Sequence, residues 1–203
     1  MAFVKQIAGA AALGSALLLN SGMLVSQAQA AYVVTLTEQG GSVVATGSGT
    51  LDTTDLLFIG TDTTAIGVEP DLGYIATGAS PPFASVDEYS GNIGGPANFG
   101  AGQLHLATVS SGEVAGINGT SLLLVPVGYL SGASLSETAT YIGQTLASIG
   151  AIPGTYVWTW GTGAHADTFT LTIGATAVPE PASIALLGTA LTGVLLAGAI
   201  RRA

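Results

Sequence analysis

Gly154-Thr-Tyr-Val-Trp-Thr-Trp-Gly161-Thr-Gly-Ala-His165-Ala-Asp167-Thr-Phe-Thr-Leu-Thr-Ile173 is the stretch whose reading decides the fold. Tyr156, Trp158 and Trp160 alternate with Val157 and Thr159, so one face of an extended chain is aromatic and the other small and β-branched. Alternation with period two is the pattern of a half-buried strand. Gly161-Thr-Gly163-Ala-His165 is a turn composition and leads into a second strand, Asp167 to Ile173. The aromatic face is expected to point inward, because burying each large side chain gains roughly 1.5–3 kcal/mol or more. Its competing use is an open platform on which sugar rings stack.

Working outward from this hairpin, more strands follow the same logic. Tyr32–Thr37 and Val43–Gly49 flank the turn-like Glu38-Gln39-Gly40-Gly41. Leu56–Ile59 is a short apolar candidate. Gln103–Val109 alternates, with Leu104 and Leu106 on one face and His105 on the other. Val114–Ile117 and Leu122–Val127 are separated by Asn118-Gly119, a hairpin signal. One helix is expected within Glu137–Ser148. Ser134-Leu-Ser-Glu137 matches a capping box, and Leu135, Ala139, Ile142, Leu146 and Ile149 recur at helical spacing before Gly150 and Pro153. Gly60–Gly102, with Pro70, Pro81, Pro82 and Pro96, reads as loop-heavy. The fold class is therefore mainly β. It is a single Gly-rich, β-sandwich-like domain over residues 31–178 with one short helix.

Composition narrows what that domain can meet. The chain has 203 residues, 30 glycines and no cysteine, so packing and sheet hydrogen bonds must hold the fold without disulfides. All three Lys and Arg residues lie outside 31–178, whereas eleven of the twelve acidic residues lie inside it. So anionic a surface argues against nucleic acid as a partner.

The two ends read as targeting segments. Residues 1–30 have a positive Lys5, an apolar run from Ile7 to Leu19 and the small-residue site Ala28-Gln29-Ala30, the pattern of a signal peptide cut before Ala31. At the other end, Ser183–Ile200 is 18 residues without charge, roughly 27 Å as a helix and close to the hydrocarbon thickness of a bilayer. Arg201 and Arg202 would hold its far end in the cytoplasm, leaving the rest of the chain outside. Pro179-Glu180-Pro181 resists helix and presents an extended, cleavable segment just before the span.

The ordered set Pro179-Glu180-Pro181, apolar run and Arg201-Arg202 over residues 179–203 resembles the PEP-CTERM sorting signal. That resemblance implies export by signal peptidase and a period of membrane anchoring through the C-terminal transmembrane helix. Processing by an exosortase-type enzyme of Gram-negative bacteria would follow, with release to the cell surface or exterior. Gly154–Gly161 and Asp167–Ile173 resemble, more loosely, domains that such proteins carry before the signal. The implied role is structural or interactive, in a cell envelope, exopolysaccharide or biofilm setting. Extracellular polysaccharide is the candidate partner.

Chemistry elsewhere is sparse. His105 and His165 are the only histidines, and His165 lies near Asp167, but neither a Gly-x-Ser-x-Gly elbow nor a His-Glu-x-x-His motif is present. No enzyme activity and no catalytic residue is expected. Asp52, Asp55 and Asp62, or Asp87-Glu88, carry oxygens of the kind Ca²⁺ takes, though Asp-x-x-Asp is common loop composition. No cofactor or metal site is assigned on that basis, and calcium is the one ion weighed. Asn118-Gly-Thr120 matches a glycosylation sequon, a weak signal on its own. The alternative function is a carbohydrate-binding module, with or without calcium.

Overall fold

A computed structural model describes residues 31–174. The processing residues Ala28, Ala30, Pro179, Glu180, Pro181, Arg201 and Arg202, and both expected membrane-directed segments, lie outside the described residues. Among the described residues, no helix is long and apolar enough to cross a membrane.

The described chain is mainly β, in two sheets. The strands are β1 (Ala31–Gln39), β2 (Ser42–Thr50), β3 (Leu57–Ala65), β4 (Gly67–Glu69), β5 (Tyr74–Thr77), β6 (Phe83–Ser90) and β7 (His105–Leu106). They continue as β8 (Val109–Gly112), β9 (Ala115–Asn118), β10 (Leu122–Pro126), β11 (Ser134–Ile142), β12 (Gly154–Trp160) and β13 (Asp167–Ile173), with one helical turn, α1 (Leu146–Ile149). One sheet runs β12-β13-β1-β2-β11-β8 and the other β3-β6-β10-β9-β5-β4-β7. Inward residues of both sheets form one continuous core.

The expected hairpins form. β1 and β2 pair in antiparallel register from Tyr32↔Gly49 to Gln39↔Ser42, around Gly40 and Gly41. Both glycines have positive φ, 57° and 77°, which side-chain-bearing residues rarely tolerate and which suits the twist of a hairpin. β12 and β13 pair from Gly154↔Ile173 to Trp160↔Asp167. β13 also pairs in parallel with β1, from Ala31↔Thr168 to Leu36↔Ile173, so the first and last strands close the sheet together. β9 and β10 form the hairpin foreseen at Asn118-Gly119, with Ser121 N–H returning to the Asn118 carbonyl at 3.0 Å.

Three expectations are corrected. The helix over Glu137–Ser148 is instead mostly strand. β11 pairs with β2 along its full length, Ser134↔Thr50 to Ile142↔Ser42, and with β8 on its other side. Leu135, Glu137, Ala139 and Tyr141 point inward in strict alternation. Leu135 and Ala139 satisfy both the strand period and helical spacing, while Thr138 and Thr140 are stiff at χ1 and suit a pleated surface. The capping box exists, but later: Thr145 Oγ1 accepts from Ser148 N–H at 3.0 Å, and Ser148 Oγ accepts from Thr145 N–H at 2.9 Å. Gly60–Gly102 is also not chiefly loop, since most of β3 and all of β4, β5 and β6 lie within it. Its prolines fall in the connections. Pro70 opens a short 3₁₀ turn, and Pro81 lies between β5 and β6. The Gln103–Val109 strand is broken: His105–Leu106 pairs with β4, and Val109 opens β8 opposite Thr140 of β11.

The aromatic face of β12 faces the core. Trp158 is fully buried and meets Phe169 and Phe99 edge-on at ring separations of 5.9 and 6.5 Å, and Phe169 meets Tyr32 at 5.3 Å. Indole nitrogens need partners when buried. Trp158 Nε1 donates to the Pro96 carbonyl at 3.0 Å and Trp160 Nε1 to the Asp52 carbonyl at 2.7 Å. Each tryptophan thus pins a loop as well as filling space. Trp158→Ala is expected to cost about 3–5 kcal/mol in urea unfolding and Trp158→Phe less. A Trp158→Ala protein as stable as the parent would contradict the packing.

Candidate functional site

Three connections converge on one carboxylate at the end of the first sheet. Asp52 follows β2, Ser131 lies between β10 and β11, and His165 sits in a 3₁₀ turn between β12 and β13. Asp52 Oδ1 accepts from Thr54 N–H and Ser131 Oγ, both at 2.8 Å. Its Oδ2 lies 2.9 Å from His165 Nδ1. The backbone N–H of Asp52 is in turn held by Asp167 Oδ2 at 2.5 Å, and Asp167 Oδ1 accepts from Thr168 N–H at 2.6 Å. Beside them, Asp55 Oδ2 takes Thr162 N–H at 3.0 Å.

The electrostatics follow from these bonds. Burial works against ionising Asp52, but the hydrogen bonds from Thr54, His165 and Ser131 outweigh it and hold the carboxyl well below its usual range. Asp167 is 2% exposed. Its desolvation pushes its pKa up, against the pull of the Asp52 and Thr168 N–H groups. The Asp52 hydrogen bond raises the pKa of His165, a half-exposed ring, with smaller help from the negative charges of Asp52 and Asp55.

These neighbours do not make a catalytic triad. A triad needs the serine hydroxyl against the imidazole, with the carboxylate behind the ring. Here Asp52 stands in the middle and Ser131 Oγ is bonded to it, so no proton path links hydroxyl to ring. Asp167, which lies near His165 in sequence, directs its oxygens to two backbone N–H groups. The arrangement ties three loops together.

The acidic residues weighed as calcium ligands are dispersed. Asp52 and Asp55 share this end, but Asp62 lies on β3 opposite Val86 and bonds the N–H of Thr63 at 2.7 Å. Asp87 and Glu88 are consecutive on β6 and so face opposite sides. Asp87 turns in to Thr61 Oγ1 at 2.6 Å and Gly128 N–H at 2.8 Å. Among the described residues, no three His or acidic side chains are grouped to hold a metal ion.

An open cavity of about 400 Å³ adjoins the cluster, lined by Asp55, Asn92, Thr159, Thr162, Asp167 and Thr168 among others. Gly94 forms its far wall, paired to β12 through Gly94 N–H to the Thr159 carbonyl at 2.9 Å and the reverse bond at 2.8 Å. Its polar groups are hydroxyls, an amide and carboxylates. Trp160 lines it too, but Tyr156 and the two tryptophans form no open aromatic platform there, because Trp158 and Trp160 are buried. Ser131 and Asn92 were not legible as site residues, since nothing local in the sequence distinguishes one Ser or Asn of a loop from another.

The fold and site define a mainly β, two-sheet, sandwich-like domain whose polar end is organised by carboxylates. Comparison of the chain with family models, curated proteins and solved structures finds no match.

The His165–Asp52 pair has a pH signature. Its contribution needs Asp52 ionised and His165 protonated. It is therefore present above the ordinary aspartate pKa of 3.8 and below the ordinary histidine value of 6.5, and fades as pH rises through the raised pKa of His165. In an NMR titration, the His165 ring is expected to titrate above 6.5, and Asp52→Asn should bring the midpoint down. An unchanged midpoint in Asp52→Asn would break the assignment.

Proposed function

We propose that this chain is an exported cell-envelope or extracellular-matrix protein, sorted by an exosortase-type enzyme and serving a structural or interaction role. The observation that carries the reading is the ordered tail of Pro179-Glu180-Pro181, an uncharged 18-residue run and Arg201-Arg202. The domain in front is consistent with such a role. It carries no Lys or Arg between residues 31 and 178, and its hydroxyl-rich strand faces suit a hydrated polymer layer. In the producing cell, replacing Pro179, Glu180 and Pro181 by Ala should retain the protein in the membrane fraction at a mass that includes residues 183–203. Unaltered release of the triple variant would defeat the sorting proposal.

A second reading is favoured by the cavity beside Asp55. Hydroxyl, amide and carboxylate groups around about 400 Å³ suit the hydroxyls of one or two sugar rings. On that reading the domain is a carbohydrate-binding module whose site is this cavity, to which β12 contributes Thr159 and Trp160, and not an open face of the β12 aromatics. On a glycan array, with and without calcium, the parent should bind a polysaccharide fragment and Asn92→Ala or Asp55→Ala should lose at least tenfold in affinity, about 1.4 kcal/mol. Equal binding by parent and variants would remove the cavity from consideration.

A further inference from the structure

Glu137 is 2% exposed in the middle of β11, between the two sheets. Its neighbours in register are glycines on both sides, Gly47 on β2 and Gly112 on β8. A Cβ at Gly47 would strike the Glu137 carboxyl and the Tyr32 hydroxyl, and one at Gly112 or at Gly78 of the facing sheet would crowd the Glu137 Cβ. Glycines on three segments therefore hollow out the space this side chain fills. From the opposite sheet, the fully buried Thr77 donates its hydroxyl to Glu137 Oε1 at 2.9 Å. Oε2 has no partner among the described residues, and neither do the buried hydroxyls of Tyr32 and Tyr141.

Among the described residues no Lys or Arg is there to neutralise a charge in this niche, since residues 31–178 contain neither. A carboxylate without a counter-ion in an apolar core is strongly disfavoured, and the group keeps its proton instead. Burial pushes the Glu137 pKa up to about 8. The titratable group beside it is Tyr32 from β1, whose hydroxyl shares the space over Gly47 with the Glu137 carboxyl, while Tyr141 is four residues further along β11 and Tyr74 lies on β5. Burial drives Tyr141 above the usual phenol range and Tyr74 up to about 12, so neither loses a proton in the range where Glu137 does. Glu113, whose carbonyl abuts Gly78, is itself exposed.

We propose that Glu137 is a proton-controlled latch: protonated, it is neutral and lets the seam between β11 and β5 close over it. Deprotonated in mildly alkaline surroundings, it leaves charge on an unpartnered Oε2 that the apolar seam does not solvate, and the two sheets loosen although Thr77 still donates to Oε1. The folded state holds this proton more tightly than an unfolded glutamate, whose pKa is near 4.5. The contribution of the protonated group is thus complete below about pH 4.5 and is lost as pH rises to about 8. In an exported protein the outside pH sets the state of the latch directly.

Urea unfolding of the full chain in mild detergent, followed by the fluorescence of its two tryptophans, tests this across about pH 5 to 9. For the parent, the unfolding constant should rise by up to about tenfold per pH unit from about pH 5 toward 8 and level off above that. Glu137→Gln, neutral and of the same shape, should remove that rise, and His165→Asn should leave it intact below about pH 6, where the His165 ring is protonated in both states. A parent without the rise, or a Glu137→Gln protein with the parent's slope, overturns the latch. Should Glu137→Gln fail to fold, infrared difference spectra of the parent decide. A protonated-carboxyl band present at about pH 6 and gone by about pH 9 supports the latch, and its absence at the lower pH refutes it.

Discussion

Every carboxylate of this domain has to be accommodated without a lysine or arginine, and much of the structure answers that constraint. Among the described residues the single ion pair is His165–Asp52. The two other buried acids outside β11 are met by neutral donors, Asp87 by Thr61 and Gly128 and Asp167 by two backbone N–H groups, and the exposed Glu38 takes the N–H of Leu146 at 2.6 Å. Hydrogen bonds to an ionised acceptor are stronger than neutral ones, so a carboxylate can organise a loop without a counter-ion. Glu137 and Asp71 each have one donor for two oxygens, and of the two only Glu137 lies in the core, where burial pushes its pKa up to about 8.

The same constraint explains where these acids sit. Asp52, Asp55 and Asp167 stand at the end of the first sheet, where connections expose N–H groups that no strand neighbour uses. Trp160 joins that end to the core: its ring is buried while its N–H holds the Asp52 carbonyl. A change in packing under β12 would therefore reach the loops around the cavity through this bond and the two that pair Thr159 with Gly94. Beneath it, Trp158, Phe169, Tyr32 and Phe99 give the chain apolar burial that its many glycines do not supply.

The parallel pairing of β1 with β13 sets the order in which this can assemble. Residues 31–36 and 168–173 are neighbours only when nearly the whole domain is present. A sheet closed by such distant contacts meets most of its loop-closure cost before those contacts form. The hairpins β1–β2, β9–β10 and β12–β13 are local, and β1–β13 joins two of them.

By itself the sequence determined the features that depend on a few adjacent residues. Gly40-Gly41 and Asn118-Gly119 mark hairpins because positive φ or a tight turn is a local demand, and Tyr156, Trp158 and Trp160 point inward because alternation sorts large from small. The mainly β class followed from these. Tertiary structure alone decided the rest. Residues 134–142 carry a spacing that serves helix or strand, and the nine-residue ladder to β2 chose strand. Strands β4 to β6 hid among prolines and glycines because their stability comes from pairing and burial, not from propensity. The site was the least legible part. Asp52 and His165 lie 113 residues apart, and only the convergence of three loops makes them partners. Glu137, which looks locally like a helix cap, becomes a buried acid because two flanking glycines and a threonine from the other sheet surround it.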